Sequence, residues 1–178
     1  PSVTALKRDM PALSPRLRML LTRFEMNVEI TRLKRKHNIE AEKMIRKMFG
    51  ASMWVPSEMT ASKRGSNFLW ISDNASSGMR NLCIYRLGVA DTRNFIRLRD
   101  SVMQINIKGE SDAMFMKTVL GSCSVYPPVQ KTDNGFLVRG LWEMKGDAMG
   151  GPFVCRIIQK DGGVLVAEAF VYAPEMKK

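Results

Sequence analysis

The chain is poor in the residues on which most enzymes and metal proteins are built. It has one histidine, His37, and three cysteines, Cys83, Cys123 and Cys155, with no Cys-x-x-Cys pair and no Cys/His spacing. A zinc site of the usual ligand count cannot be assembled from that set, and His-based triads are limited to one. No Gly-x-Ser-x-Gly elbow occurs, no glycine-rich stretch ends in Gly-Lys-Ser/Thr, and Asp73, Glu143 and Asp147 form no spacing that specifies a carboxylate pair. The sequence therefore offers no positive sign of catalysis, metal or cofactor. Long apolar runs are missing too. The longest, residues 164–173, is interrupted by Glu168 and falls well short of the ~20 residues that cross a bilayer.

What is present is a globular composition with a strong basic bias. The 178 residues are 45% hydrophobic and 25% charged, enough for a core without disulfides. The net charge of +11 predicts attraction to polyanions, and +6 of it lies in residues 16–47. Within that stretch Leu17, Leu20, Leu21, Phe24 and Val28 recur at helical spacing, predicting a long amphipathic helix that starts after Pro15 and buries this stripe. The exposed candidates for polyanion contact are Arg32, Lys34, Arg35 and Lys36. Asn38 reads as a fresh N-cap with Glu40 and Glu42 in the first turn and Gly50 as the stop, so a break is expected near 37–39. Methionines such as Met19, Met44 and Met48 sit at stripe positions and read as pliable core filling.

Strands are expected at 53–55, 67–72 and 82–87, then a helix carrying Phe95, Leu98 and Val102, a short helix over 113–120, and strands at 135–144, 153–159 and 164–173. The second half echoes the first at an offset of 72 residues: Trp70 falls on Trp142, Cys83 on Cys155, Pro56 on Pro128, Met44 on Met116 and Ala41 on Ala113. These patterns give an α+β fold, an antiparallel sheet with helices packed on one face, built from two tandem repeats of like topology. The organisation expected is an N-terminal extension over 1–15, a first half over 16–87 and a second over 88–178, in a piece of a longer chain.

Strand parity sorts side chains into faces. Along 135–143 it puts Phe136, Val138 and Trp142 toward the core. Along 164–173 the small set Leu165, Ala167 and Ala169 suits helix packing, which leaves Glu168 and Tyr172 on the open face with Arg139 and Arg156. A carboxylate among arginines beside an aromatic ring suits a polar ligand or an ordered partner surface as well as a cross-strand ion pair. The connection over 143–152 is longer than a hairpin needs, and Gly146, Asp147, Gly150 and Gly151 are its candidate contact residues.

The strings FLWISDNASSGMRNLCIYRLG (68–88), RDSVMQINIKGESDAMFMKTV (99–119), RGLWEMKGDAMGGPF (139–153) and VAEAFVYAPEMKK (166–178) resemble the domain-of-unknown-function 4837 family, uncharacterised lipoproteins of Bacteroides and related bacteria. The resemblance implies a lipid-anchored envelope protein but no activity, and the lipid-bearing cysteine is not in this sequence. The expected function is a non-catalytic envelope module that binds or assembles with an envelope protein or glycan. The alternatives are a basic nucleic-acid binder acting through 16–47, which lacks helix-turn-helix, zinc-finger or aromatic RNA-binding patterns, and an enzyme of a class the motifs do not reveal.

Overall fold

The structure, a computed structural model, describes residues 2–76, 78–88, 90–91, 93–127 and 134–172. The expectations placed on Ser77, Pro128 and residues 173–178 lie outside these. The chain runs α1 (Val3–Arg35), α2 (Ile39–Phe49), β1 (Ala61–Arg64), β2 (Phe68–Ser72), β3 (Met79–Leu87), α3 (Phe95–Asn106), β4 (Met116–Thr118), β5 (Ser124–Tyr126), β6 (Gly135–Met144), β7 (Gly150–Lys160) and β8 (Gly163–Tyr172). All strand pairs are antiparallel, in the order β1-β2-β3-β8-β7-β6-β4, with β5 also on β6. The α+β class expected from the sequence is the one observed.

The helix boundaries follow local chemistry. The Asn38 side chain accepts the Ala41 N–H at 3.0 Å, and Gly50 closes α2 in the left-handed conformation, with its N–H on the Arg46 carbonyl. His37 sits in the break between α1 and α2. Its Nδ1 lies 2.8 Å from the Leu33 carbonyl, its Nε2 3.2 Å from Glu42, and its ring stacks on Trp54. The histidine thus ends one helix and steadies the next.

The sheet buries both faces, each against a different helix. On the inner face Phe68, Cys83, Tyr85, Phe136, Val138, Trp142, Phe153, Cys155, Ile157, Val166 and Phe170 enclose α3 through Phe95, Met103 and Ile107. On the outer face α2 lays Ala41, Ile45 and Phe49 on Leu69, Ile71, Ile84 and Leu165. The helices are therefore not on one face, as the parity reading had them. Leu69 and Ile71 alternate with Phe68 and Trp70 on β2, so this strand is apolar on both sides and demands two helical covers.

The sheet also curls around α3. The Ile107 carbonyl accepts from Met116 N–H beside β4, while the Asn106 carbonyl next to it accepts from Lys63 Nζ on β1 at 3.4 Å. One end of one helix thus touches both ends of the strand order. Gly140 permits the tight inner packing, because a Cβ there would stand 2.8 Å from both Cys123 Sγ and the Phe153 ring.

Three expectations are corrected. The stretch over 113–120 is not a helix: only β4 forms there, because Met116 and Thr118 point inward while Lys117 pairs outward with Glu143, which is strand periodicity. Residues 53–55 make no strand; the segment crosses beneath α2 with Val55 buried and its carbonyl on Asn38 N–H. Third, α1 begins at Val3 and carries Pro11 and Pro15 inside it, and none of its residues is buried. The Leu17, Leu20, Leu21, Phe24 and Val28 stripe, with Met19, faces away from the core.

The 72-residue offset is not confirmed as a repeat. It does place Trp70 and Trp142 on the inner face, both against the Phe170 ring, and pairs both Cys83 and Cys155 with Glu168 across the sheet. However, β3 and β7 run in the same direction on either side of β8, and their hairpin partners β2 and β6 lie on opposite sides. A rotation that lays β3 on β7 with the inner face kept inward carries β2 away from β6. Ala41 and Met44 lie in α2, whereas Met116 lies in β4. The shared spacing reflects two strands that flank Glu168 from either side of β8.

Trp142 is 3% exposed, and its Nε1–H donates to the Val171 carbonyl at 3.2 Å. Trp142→Ala is expected to lower stability by about 3–5 kcal/mol, as truncations of large core side chains do. Denaturant unfolding of the variant checks this, and a loss under ~1 kcal/mol contradicts the inward orientation.

Candidate functional site

The residues gathered by sequence as one open-face cluster are split by the structure. Arg139 and Arg156 do lie on the outer face of β6 and β7, at diagonal positions, since Arg139 opposes Val154 and Leu137 opposes Arg156. Glu168 and Tyr172 turn inward. Tyr172 packs near Trp142, with ring centroids 6.5 Å apart, and Glu168 is fully buried. The parity of β8 is reversed relative to the expectation because Val166 and Phe170, larger than Ala167 and Ala169, fill the curled interior better.

What Glu168 meets there is a charge that the sequence reading overlooked. α3 buries Phe95, Arg99 and Met103 at intervals of four, so Arg99 stands in the middle of an apolar stripe. Its guanidinium grips Glu168 at 2.6 Å (Nη2 to Oε1), and Nε also donates to both carboxylate oxygens, at 3.2 and 3.1 Å. Neither side chain has any solvent exposure. Nη1 donates to Thr118 Oγ1 at 2.9 Å and to Asp100 Oδ1 at 3.0 Å, and the guanidinium carbon stands 4.0 Å from the centroid of the Phe153 ring, over its face. Glu168 Oε2 also accepts from Tyr85 O–H at 2.9 Å and from the Cys155 thiol at 3.2 Å. Asp100 takes up the Thr118 N–H and hydroxyl, tying α3 to β4. Among the described residues no buried side-chain polar atom is left without a partner.

A thiol, a phenol and a carboxylate in contact suggest a catalytic set, but the electrostatics oppose it. Burial, then the Glu168 charge, push the Cys155 thiol well above its ordinary range, and the same two causes raise Cys83 and Tyr85. The thiols stay protonated, which is the inert form. Burial by itself would lower the Arg99 pKa, but the adjoining carboxylate more than offsets it and the net shift is upward. The network is a buried ionic pin between α3, β3, β4, β7 and β8, with Asp100 as its partly exposed edge.

The remaining sequence candidates sit at the surface. β6 runs to Met144 and β7 resumes at Gly150, so five residues, 145–149, connect them, and the expected excess of loop disappears. Gly146 supplies a positive φ of 81° in the turn, and exposed Asp147 accepts the Ala148 N–H. Gly150 and Gly151 belong to β7; a Cβ on Gly151 would stand 2.1 Å from the Val171 carbonyl, so packing beneath Trp142 accounts for it. Arg32 is held by Glu29 at 3.0 Å and Glu58 at 3.4 Å, while Lys34, Arg35 and Lys36 are exposed. Phe24, Val28, Arg32, Arg35 and Lys36 line an open groove of about 550 Å³ at this end of α1. Among the described residues no group of three or more His, Cys, Asp and Glu is placed to hold a metal ion.

The outer face over β5, β6 and β7 remains as a broad accessible surface that no helix among the described residues covers. Tyr126, Leu141 and Ile158 are exposed on it, and the Arg139 guanidinium lies 5.5 Å over the Tyr126 ring. Leu137, Val154 and Arg156 are half-buried between them. From Leu137 to Leu141 on β6 and from Pro152 to Ile158 on β7 there is no lysine, aspartate or glutamate.

These features define an α+β protein in which a curled antiparallel sheet closes on one helix through a sealed ion pair and leaves half of its outer face open. The chain belongs to the family described as domain of unknown function DUF4837, which matches residues 38–178. The match begins at Asn38, the N-cap of α2, and α1 lies outside it. No curated protein and no solved structure matches the chain. No helix among the described residues is long and apolar enough to cross a membrane.

Removing one charge of the pin strands the other in the interior, so Glu168→Leu is expected to cost about 3–5 kcal/mol. Arg99→Met combined with Glu168→Leu should recover much of that loss, because two apolar groups leave no unpaired charge. A double-mutant cycle in denaturant measures the coupling, and strictly additive losses contradict the pairing.

Stability should also fall at alkaline pH. The unfolded chain releases the Cys83 and Cys155 protons near their ordinary 9.0 and the Tyr85 proton near 10.0, while the folded chain keeps them. The folded state therefore binds more protons than the unfolded state above about pH 9, and stability declines as pH rises. Denaturant midpoints measured from pH 8 to 10.5 check this; a flat profile contradicts the burial.

Proposed function

We propose that this protein is a non-catalytic binding or assembly module of the cell envelope, which engages an acidic partner protein through the outer face of β5, β6 and β7. The observation that carries the reading is the composition of that face. Exposed Tyr126 and Leu141 flank Arg139, with Ile158 further along the face, and residues 137–141 and 152–158 contain no lysine or carboxylate. Arginine and aromatic residues enriched, with lysine and carboxylates depleted, is the make-up of a protein interface core. A glycan would ask for hydrogen-bonding carboxylates and amides among the rings, whereas Glu143, at the end of this face of β6, is paired with Lys117.

The electrostatics favour an acidic partner. Glu168, the carboxylate that strand parity would have set between the arginines, is spent inside on Arg99. The Arg139 guanidinium, exposed over the Tyr126 ring, thus presents positive charge on an apolar ground, suited to bidentate carboxylate contacts, while Arg156 Nη1 donates to the Phe136 carbonyl at 3.4 Å. The envelope assignment rests on the likeness of the sequence to envelope lipoproteins of this family. The closed state of the Arg99 network supports the non-catalytic part, since its thiols and phenol are protonated and out of reach of solvent.

Backbone amide shifts of the labelled protein, titrated with poly-L-glutamate and in parallel with duplex DNA, test the proposal. Poly-L-glutamate is expected to move residues 137–141 and 152–158, and Arg139→Glu to weaken that response at least about tenfold. Shifts confined to residues 16–47 with either polyanion would replace this reading with the basic-helix alternative. Fractionation of the native gene product with the cytoplasm would remove the envelope assignment.

A further inference from the structure

We infer that α1 is a self-association helix, and that its apolar seam is covered by the same helix of a second copy of this chain. Val3, Leu6, Met10, Leu13, Leu17, Leu20 and Phe24 follow one another at alternating steps of three and four. That is an unbroken a/d heptad register over three heptads, running about 32 Å along the helix. Every one of these side chains is exposed, from 39% at Leu13 to 71% at Val3. Pro11 and Pro15 fall at b and f positions, off the seam, so neither obstructs a partner helix.

A seam of period 3.5 fits another helix of like period rather than a sheet or a flat surface. Within the chain no such helix is free, because α2 and α3 have buried their apolar faces against the two sides of the sheet. A second copy carries the same register and closes by a two-fold axis, with each helix covering the other. The flanking e and g positions do not exclude it: they hold Ser2, Lys7, Asp9, Ser14, Arg16, Leu21, Arg23, Val28 and Ile30, of which Leu21, Val28 and Ile30 widen the apolar strip.

The surface area is consistent with a missing partner. The chain exposes 12112 Å², whereas a compact monomer of its mass exposes roughly 8,700 Å². The excess of about 3,400 Å² comfortably contains the ~800 Å² per partner that a stable interface takes. Helical economy points the same way. Two interior prolines cost an isolated helix about 3 kcal/mol each, and helices of this kind persist through packing rather than propensity. An anionic membrane surface fits less well, because the side of α1 that carries Arg16, Arg18 and Arg23 also carries exposed Met19 and Met26, so the helix has no purely polar face to turn to water.

Sedimentation equilibrium of the 178-residue chain, alone and with vesicles containing phosphatidylglycerol, tests the inference. The chain is expected at twice 20.1 kDa, and Leu17→Glu with Leu20→Glu should weaken the dimer at least about tenfold. Met19→Glu, at an exposed c position off the seam, should leave it intact. Tryptophan fluorescence should be unchanged in all variants, since no α1 residue enters the core. A monomeric native chain, equal losses from Met19→Glu and the seam variant, or a monomer that binds vesicles through α1 would each overturn the proposal.

Discussion

The fold depends on one buried ion pair. Arg99 and Glu168 are taken wholly out of water, a step that costs several kcal/mol per ion and is recovered only when every remaining donor and acceptor is met. Thr118, Asp100, Tyr85 and Cys155 meet them, and the Phe153 ring lies under the guanidinium. Apart from Asp100 on α3 itself, those partners come from β3, β4 and β7, strands far apart in sequence, so the pair fixes where α3 sits inside the sheet and how tightly the sheet curls. A hydrophobic substitute could bind as well, but it would leave the helix free to slide along an apolar interior. The specificity of the pair is the physical reason to keep a charge there.

With the inner face closed in this way, the exposed surface takes on the functional burden. The sheet is covered on its outer side only where α2 lies, and the uncovered half keeps two arginines and a tyrosine on an apolar ground. α1 lies outside the family-matched region, with a seam that none of the described residues covers. On the two proposals made above, one surface suits an acidic partner and the other suits a second copy of the chain.

Local signals in the sequence were read well where local chemistry decides. The Asn38 cap, the Gly50 stop, the break at His37 and the strand over 135–144 emerged with the expected bounds, because each rests on groups within four residues of one another. The inward side of β6 was also legible from its alternation. β8 was not, because both of its faces are apolar and only the packing against α3 and α2 tells them apart. The short strand β4 reads as helix in the sequence because three residues carry too little period to distinguish the two.

The sequence by itself determined the class of fold, the basic balance, the family, and the lack of recognisable catalytic or metal motifs. Each follows from composition and near-neighbour spacing. Only the tertiary structure decided that Glu168 turns inward, that Arg99 is its partner, that the helices lie on opposite faces and that α1 is uncovered. Arg99 and Glu168 each interrupt an apolar stripe, and two opposite charges doing so are the one trace of the pair in the chain. That trace does not say they meet. They are 69 residues apart, and their contact depends on how far the sheet curls, which is settled by the packing of every inward side chain at once.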